Sequence, residues 1–166
     1  AATLPQVRGL AMIAATPRFV RGSDWPDAVE REVFVQFGQD LARDYRGTLD
    51  RFLALDTLGS AHARSELRSL RETLTARGEP AASALQDGLG LLERTDLRRA
   101  LATLARPSLW IAGQRDRLVP AAGMHAAAAR APHAQALTID GGGHAPFLGH
   151  ADQVAEALHR FVAALP

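Results

Sequence analysis

Two loops in this sequence carry residue types that could cooperate in proton transfer. Asp116 lies in Gly-Gln-Arg-Asp-Arg-Leu-Val-Pro (113–120), and His144 lies in Asp-Gly-Gly-Gly-His-Ala-Pro-Phe (140–147). Each loop follows an apolar segment, Ser108–Ala112 or Ala136–Ile139, that is typical of a buried strand. Loops after adjacent parallel strands converge on one crevice. A carboxylate held beside an imidazole there could orient the ring and stabilise its protonated form, as a general base requires.

Each of these two residues also has an ordinary structural explanation. Asp116 could be a turn or helix-capping carboxylate before Pro120, because aspartate is favoured in such loops. His144 is one of six histidines and could be a loop residue without a chemical task. The three glycines before His144 would let its loop turn sharply and present the ring. The pair is more informative than either residue alone, but it does not specify a reaction.

The elements around these loops indicate a parallel α/β sheet. A third apolar segment, Val7–Ala15, is bounded by prolines and predicts a first strand covered on both faces. The stretch Ala121–Arg130 predicts a helix between the second and third strands. Alternating strands and helices with short connections are the pattern of that fold class. The last helix is expected to bury one apolar face, made of Val154, Leu158, Phe161, Val162 and Leu165.

The middle of the chain has a different pattern, without a convincing strand between Trp25 and Leu104. Helical spacing predicts three helices, with a start at Asp24-Trp25-Pro26 and breaks at Gly59 and at Gly78-Glu79-Pro80. The apolar positions of these helices are Val29, Val33, Phe37 and Leu41, then Ala63, Leu67, Leu70 and Leu74, then Leu85, Leu89 and Leu92. We therefore expect a core over residues 1–18 and 99–166 and an inserted helical cap over residues 19–98, lying over the carboxyl ends of the strands.

Composition excludes several other classes of protein. The chain has 166 residues, 47% hydrophobic and 22% charged, which is an ordinary globular balance. Its formal net charge of +1 gives no global attraction to nucleic acid or to an anionic membrane. The lack of cysteine excludes a disulfide scaffold and a thiolate metal site, and it is compatible with the cytoplasm, where we expect the protein.

The segments around Asp116 and His144 resemble those of the α/β-hydrolase family. Gly-x-x-Asp-x-x-Val-Pro around Asp116, followed by Gly-His-Ala-Pro-Phe around His144, is similar to the acid and histidine segments of a Ser-His-Asp triad in that family. The resemblance implies a three-stranded, carboxyl-terminal part of such a hydrolase with an all-helical cap. It also implies a reaction that needs no metal and no organic cofactor.

Further segments resemble one branch of that family. They are Asp24-Trp25-Pro26, the segment 51–57 (Arg-Phe-Leu-Ala-Leu-Asp-Thr), Gly88-Leu89 and Asp96-Leu97-Arg98. That branch consists of serine carboxylesterases that hydrolyse the methyl ester of a pimeloyl chain on acyl carrier protein, in biotin synthesis. The resemblance implies an acyl channel lined by Phe52, Leu53, Ala54, Leu55 and Asp56 together with His144. Without the resemblance, ordinary helix packing explains Phe52 and Leu55 equally well.

The serine expected of this family is absent from its motif. None of the serines, at 23, 60, 65, 69, 83 and 108, lies in Gly-x-Ser-x-Gly, and in the family that motif precedes the strand that matches Val7–Ala15. We therefore expect the amino-terminal half of the hydrolase to lie upstream of Ala1, with Ala1-Ala2-Thr3 ending a helix of that half. The chain by itself is expected to be inactive, because it lacks both nucleophile and oxyanion donors, and its first strand would be an exposed sheet edge.

The resemblance also implies an acidic acyl carrier protein as partner. Arg51, Arg64 and Arg68 match family arginines that bind the carrier, whereas a fourth aligns with Gly47, for which Arg46 could substitute. Guanidinium groups suit carboxylate and phosphate partners, but a plain solvated helix face is an equal explanation of this arginine pattern. The remaining alternatives are a general short-chain esterase or lactonase of the same fold, and a non-catalytic fragment that only binds the carrier.

Overall fold

The structure, a computed structural model, describes residues 4–57 and 63–166. Its centre is a three-stranded parallel sheet of β1 (Leu10–Ile13), β2 (Ser108–Gly113) and β3 (Ala134–Ile139), in the spatial order β1-β2-β3. Leu10 pairs with Ser108, and Ser108 pairs in turn with Ala134, so the three carboxyl ends lie at one edge of the sheet. This confirms the predicted α/β class and the parallel order of the strands.

Helices account for most of the rest of the described residues. Their bounds are α1 (Arg31–Arg43), α2 (Tyr45–Asp56), α3 (Ala63–Arg77), α4 (Ala82–Arg94), α5 (Arg98–Leu101), α6 (Ala121–Ala128), α7 (Pro146–Gly149) and α8 (Ala151–Ala163). The first five lie between β1 and β2 in the sequence, as the helical pattern of the middle region predicts. The predicted break at 78–80 falls between α3 and α4, whereas Gly59 and Ala1–Thr3 lie outside the described residues.

The sheet is covered on both faces, which is why β2 has a continuous apolar sequence. Trp110 and Ala112 pack towards α6, in a cluster with Met124 and Ala127. Leu109 and Ile111 point to the opposite face, in a second cluster built mainly from α8. Alternate residues of a strand point to opposite faces, so a strand covered on both sides must be apolar throughout.

Strand β1 is shorter than the predicted Val7–Ala15. Gly9 lies so close to the end of α8 that an added Cβ would stand 3.0 Å from a ring carbon of Phe161 and 2.6 Å from a methyl carbon of Leu165, just after the helix. At the other end Ala14 adopts a positive φ of 47°, which turns the chain out of the strand. Apolar composition therefore overestimated the strand, because it does not distinguish ladder residues from flanking residues that pack against a helix.

The predicted helix start at Asp24 and Pro26 is wrong. Helix α1 begins at Arg31, and the preceding residues form two isolated bridges, Val20 with Val29 and Gly22 with Trp25. Val29 is therefore outside the helix. Asp24 makes ion pairs with Arg18 and with the distant Arg98 instead of capping α1, and the contact with Arg98 is not visible in a local sequence pattern.

Some predicted helix faces also differ from those observed. In α1 the buried side chains are Phe34 and Leu41, whereas Val33 is 62% exposed. In α8 Val154 and Phe161 are buried as predicted, but Val162 is 61% exposed. Helix α4 has no buried residue, and its Leu92 is exposed. A spacing of three and four residues identifies an apolar stripe along a helix. It does not decide which residues of that stripe are buried against another element and which remain exposed.

The first part of the insertion packs against the core. Trp25 is buried in the cluster around Trp110, with Phe19 and Ala28 against the same cluster. Further along, α2 and α3 pack on each other, and α3 also contacts α7 beside the carboxyl ends of the strands. The division into residues 1–18 and 99–166 against 19–98 stays a prediction, and the packing places the segment from Phe19 to Ala28 with the core.

No helix in the described part of the chain is long and apolar enough to cross a membrane.

The stability of the sheet can be tested at its centre. Ile111→Ala removes a side chain that is 0% exposed, and we expect it to lower the free energy of unfolding by about 2–5 kcal/mol, because a cavity adds to the lost burial. The matched control is Val162→Ala on the outer face of α8, which should change it by less than about 0.5 kcal/mol. Urea unfolding followed by circular dichroism measures both, and equal losses would contradict the packing described.

Candidate active site

The two loops that follow β2 and β3 are joined by backbone hydrogen bonds. The Gln114 amide donates to the Ile139 carbonyl at 3.0 Å, and the Arg115 amide donates to the Gly142 carbonyl at 2.8 Å. The side-chain oxygen of Gln114 accepts the Gly141 amide at 2.9 Å. These bonds extend the pairing of the two strands into their loops and bring the predicted acid and histidine loops together.

Glycine at position 113 is needed for this close approach. A Cβ atom there would lie 2.0 Å from the Gly143 carbonyl oxygen and 2.7 Å from that of Gly142. Both of those atoms belong to the backbone, so a side chain at 113 would push the histidine loop away. Gly141 has φ +70°, in the left-handed region, which agrees with the sharp turn predicted from the glycine run before His144.

Asp116 and His144 meet as predicted. Oδ2 of Asp116 lies 2.9 Å from Nδ1 of His144, across 28 residues of sequence. When Nδ1 carries the proton it donates to this carboxylate, and Nε2 is then the basic nitrogen. The side chain of Asp116 is 0% exposed and that of His144 is 29% exposed, so the acid is buried beneath a ring that solvent reaches.

The second oxygen of Asp116 has a separate task. Oδ1 accepts the backbone amides of Leu118 and Val119, each at 2.9 Å. The turn-stabilising explanation of Asp116 is therefore correct, and the same carboxylate also faces the histidine. A buried carboxylate requires such donors, since burial without them is costly. The result is an acid fixed in both position and orientation.

The predicted acyl-channel residues occupy several sides of α2. Phe52 packs against Phe37 of α1 with ring centroids 5.1 Å apart. Leu53 is buried between α2 and α3, where with Leu49 and Leu74 it lines a cavity of about 240 Å³. Ala54 and Leu55 are exposed. Asp56 ends the helix, and its side chain lies outside the described part of the structure.

The four predicted carrier-binding arginines lie on the surface of α2 and α3. Arg46 pairs with Glu79 and Arg68 with Glu72, while Arg51 donates to Thr48 at 2.9 Å. Arg64 is exposed on the first turn of α3. Helices α2 and α3 are bridged by the ion pair of Arg71 with Asp50, at 2.9 Å. The sequence analysis did not single out Arg71. It lies three residues after Arg68 and seven after Arg64, and this helical spacing could have placed it on the same face of α3.

The space beside Gly47 is occupied by the capping side chain of Asp44. The Asp44 carboxylate caps α2 by accepting the Gly47 amide at 2.9 Å. A Cβ atom on Gly47 would lie 2.1 Å from an oxygen of that carboxylate. An arginine at 47, the residue that the family resemblance implies there, would therefore require the Asp44 cap to move.

The described residues contain no candidate metal site. No group of three or more His, Cys, Asp or Glu side chains comes together within residues 4–57 and 63–166.

The sequence is similar to those of several known proteins. The chain is 99% identical over its full 166 residues to the pimeloyl-[acyl-carrier protein] methyl ester esterase of Xanthomonas campestris pv. campestris (strain B100), of which it covers 66%. The esterase of the same name in Stenotrophomonas maltophilia (strain K279a) is 73% identical over 165 residues, with 99% of this chain and 64% of that protein covered. The chain thus spans about two thirds of the length of these relatives.

Solved structures share the fold at lower sequence identity. The esterase EaEST from Exiguobacterium antarcticum superimposes with a TM-score of 0.82 at 18% identity, covering 95% of this chain and 58% of that one. The enol-lactonase from Burkholderia xenovorans LB400 gives 0.80 at 16% identity, covering 98% and 59%. Residues 1–157 match the model of the alpha/beta hydrolase family. The chain belongs to that family.

Proposed function

We propose that this chain supplies the acid and the histidine of a serine carboxylesterase that hydrolyses the methyl ester of pimeloyl-acyl carrier protein in biotin synthesis. The observation that carries the proposal is the contact of Asp116 Oδ2 with His144 Nδ1 at the carboxyl ends of β2 and β3. The 99% identical relative bearing the esterase name supports the choice of substrate. Enzymes of unrelated sequence share this fold and act on other esters, so the fold alone does not choose it.

The proposed mechanism uses His144 as a shuttle for one proton. Its Nε2 takes the proton from the hydroxyl of a serine, whose oxygen attacks the carbonyl carbon of the methyl ester. Asp116 holds Nδ1 and stabilises the imidazolium ion that forms. The imidazolium then protonates the leaving oxygen, and methanol departs. His144 then takes a proton from a water molecule, whose oxygen attacks the acyl-serine, and returns that proton to the serine oxygen as the bond to serine breaks and the free acid of the carrier-bound pimeloyl chain leaves.

The serine in this proposal comes from outside the chain, upstream of Ala1. The sequence has no Gly-x-Ser-x-Gly motif. Ser108 is 0% exposed at the amino end of β2, opposite the end that leads to Asp116, and it accepts the Trp110 indole N–H at 3.1 Å. Ser60 lies outside the described residues. We propose that the preceding segment of the complete esterase pairs beside β1, one of the two edge strands of the described sheet, and presents the nucleophile to His144.

The chain by itself is expected to show no hydrolysis of p-nitrophenyl acetate above the buffer rate, because a base without a nucleophile and oxyanion donors stabilises little of the transition state. The assay follows release of p-nitrophenolate, with the complete Xanthomonas esterase as the positive control. If the chain alone turned over this ester and His144→Ala abolished the turnover, the external serine would be wrong.

The role of Asp116 can be tested by Asp116→Asn in the complete esterase. We expect kcat to fall by about three to four orders of magnitude, because an amide does not hold the required tautomer of His144. The fold should persist, since the remaining carbonyl oxygen still accepts the two loop amides. Asp140→Asn, on the exposed part of the neighbouring loop, is the control and should leave kcat unchanged. An unchanged kcat in Asp116→Asn would remove this residue from the mechanism.

The acyl chain is proposed to lie against α2, along residues 52–56, on its way to His144. Leu55 offers the most accessible apolar surface of this segment, because it is 53% exposed. Phe52 packs against Phe37 and Leu53 is buried, so these two side chains would support the wall of the acyl channel without forming its accessible surface. Apolar contact along a methylene chain favours longer acyl groups by about 0.8 kcal/mol per buried methylene.

The carrier is proposed to dock on the arginine surface of α2 and α3, which consists of Arg46, Arg51, Arg64 and Arg68. Three of these residues already have anionic or hydroxyl partners, but exposed ion pairs contribute only about 0–1 kcal/mol each. An acidic protein can therefore exchange with these partners at low cost. Bidentate guanidinium contacts to its carboxylates or phosphate would give both affinity and a preferred orientation.

Charge reversal tests this docking surface. In the complete esterase, Arg64→Glu combined with Arg68→Glu should lower kcat/KM for the carrier-bound ester about tenfold or more at low salt, because long-range steering and contact are both lost. Hydrolysis of the free methyl ester should change less than about twofold. Arg77→Glu with Arg94→Glu, at the ends of α3 and α4, is the control of equal charge. Equal losses on both substrates would count against docking and would favour a general short-chain esterase.

A further inference from the structure

The chain crosses between the core and the helical insertion twice, and a cluster of charged side chains joins the two crossings. Asp24 lies on the outgoing segment and Asp96 on the returning one, 72 positions later by their numbering. Arg18 and Arg98 complete the cluster, with Arg18 3.4 Å from Asp24 and 3.5 Å from Asp96. The backbone adds one direct link, because the Leu97 amide donates to the Pro17 carbonyl at 2.9 Å.

Arg98 bridges both crossings with one guanidinium group. Its Nη2 donates to Asp96 Oδ2 at 2.7 Å and its Nε to Asp96 Oδ1 at 2.9 Å, which is a bidentate pair. Its Nη1 lies 2.9 Å from Asp24 Oδ2 and donates to the Asp24 carbonyl at 3.2 Å. The side chains of Arg98 and Asp96 are 14% and 37% exposed, so water screens this pair less than it screens the ion pairs of α2 and α3, whereas the Asp24 side chain is 67% exposed.

Trp25 connects this charged cluster to the core. Two guanidinium groups lie over its ring, with the central carbon of Arg98 5.5 Å from the ring centroid and that of Arg130 5.0 Å from it. Its indole N–H donates to the Arg18 carbonyl at 3.0 Å, and the residue is 2% exposed. Arg130 follows α6, which packs on the sheet. The bridge of Arg98 is therefore anchored to the part of the fold that carries Asp116 and His144.

The cluster is ionised at neutral pH. Hydrogen bonds from Arg98 are the largest cause that lowers the pKa of Asp96, to about 2, and they also lower the pKa of Asp24. Both carboxylates are therefore ionised above about pH 4. The contribution of Asp96 to stability is present above that pH and is lost as the pH falls towards its lowered pKa of about 2. The geometry described here is thus the one present under the conditions in which an esterase would act.

We propose that Arg98 is a positioning residue that fixes the helical insertion relative to the Asp116–His144 pair. The proposal rests on the proposed esterase function, in which α2 lines the acyl site. A long acyl chain must contact the insertion and His144 together, so it depends on their relative position. A short ester depends mainly on the core, so it is largely indifferent to that position. Arg98 therefore acts on acyl-chain recognition through the position of α2 and α3.

The test compares Arg98→Met with Arg99→Met in the complete esterase. Arg99 is the exposed neighbour on the same short helix α5, and the change removes the same charge. We expect Arg98→Met to lower kcat/KM for p-nitrophenyl decanoate about tenfold, mainly through KM, because displacement of binding groups by about 1 Å is costly. Hydrolysis of p-nitrophenyl acetate should change less than about twofold, and Arg99→Met should change neither.

A role limited to global stability gives a different result. It would reduce the fraction of active enzyme and lower both esters equally, with KM unchanged, and that outcome would overturn the proposal. Asp96→Asn, which keeps side-chain volume and weakens the same bridge, repeats the test if Arg98→Met does not fold. The decanoate-selective loss should appear in Asp96→Asn as well, and its absence in a folded Asp96→Asn enzyme would also overturn the proposal.

Hydrogen exchange on this chain tests the positioning independently of catalysis. Arg98→Met should speed amide exchange about tenfold or more in α1–α4 and leave β2 and α6 unchanged, because local opening follows local contacts. Uniform acceleration, or no change in α1–α4, would contradict the proposal. If the unaltered complete esterase hydrolysed no ester, the proposed function would fail, whereas the exchange contrast would still decide whether Arg98 holds the insertion.

Discussion

The Asp116 carboxylate is the group on which the candidate site depends. Its two oxygens are used differently, one by two backbone amides of its own loop and one by the imidazole of His144. A fully buried carboxylate is costly unless its oxygens are hydrogen-bonded, and here the donors come from both loops. The same bonds that stabilise the charge therefore also fix the direction in which Asp116 faces the ring.

This arrangement constrains the residues around it. Gly113 must lack a side chain because the carbonyls of Gly142 and Gly143 occupy the space where a Cβ would be. The pairing of β2 with β3 continues into the two loops through backbone bonds. The sheet thus supplies rigidity, since residues positioned by strands hold their geometry better than residues on long free loops. In the proposed mechanism this rigidity keeps one nitrogen of His144 as the base.

The sequence predicted those parts of the fold that depend on local pattern. The proximity of Asp116 and His144 could be predicted from the apolar segments of β2 and β3 and from the polar loops that follow them. The reason is that the carboxyl ends of parallel strands lie at one edge of the sheet. The prediction at Asp24 failed, because its partners Arg18 and Arg98 are set by tertiary packing and Arg98 is 74 residues away. The length of β1 was overestimated for a similar reason, because the hydrophobicity of a residue does not show whether it pairs in the sheet or packs against the end of α8.

The contact of Asp116 with His144 is tested most directly by the ring nitrogens of His144. In the isolated chain, ¹⁵N spectra at a pH where the ring is neutral should show Nδ1 protonated and Nε2 unprotonated, with His144→Gln used to assign the signals among the six histidines. Asp116→Asn should remove that preference. A ring protonated at Nε2 in the unaltered chain, or averaged between tautomers and insensitive to Asp116→Asn, would contradict the account.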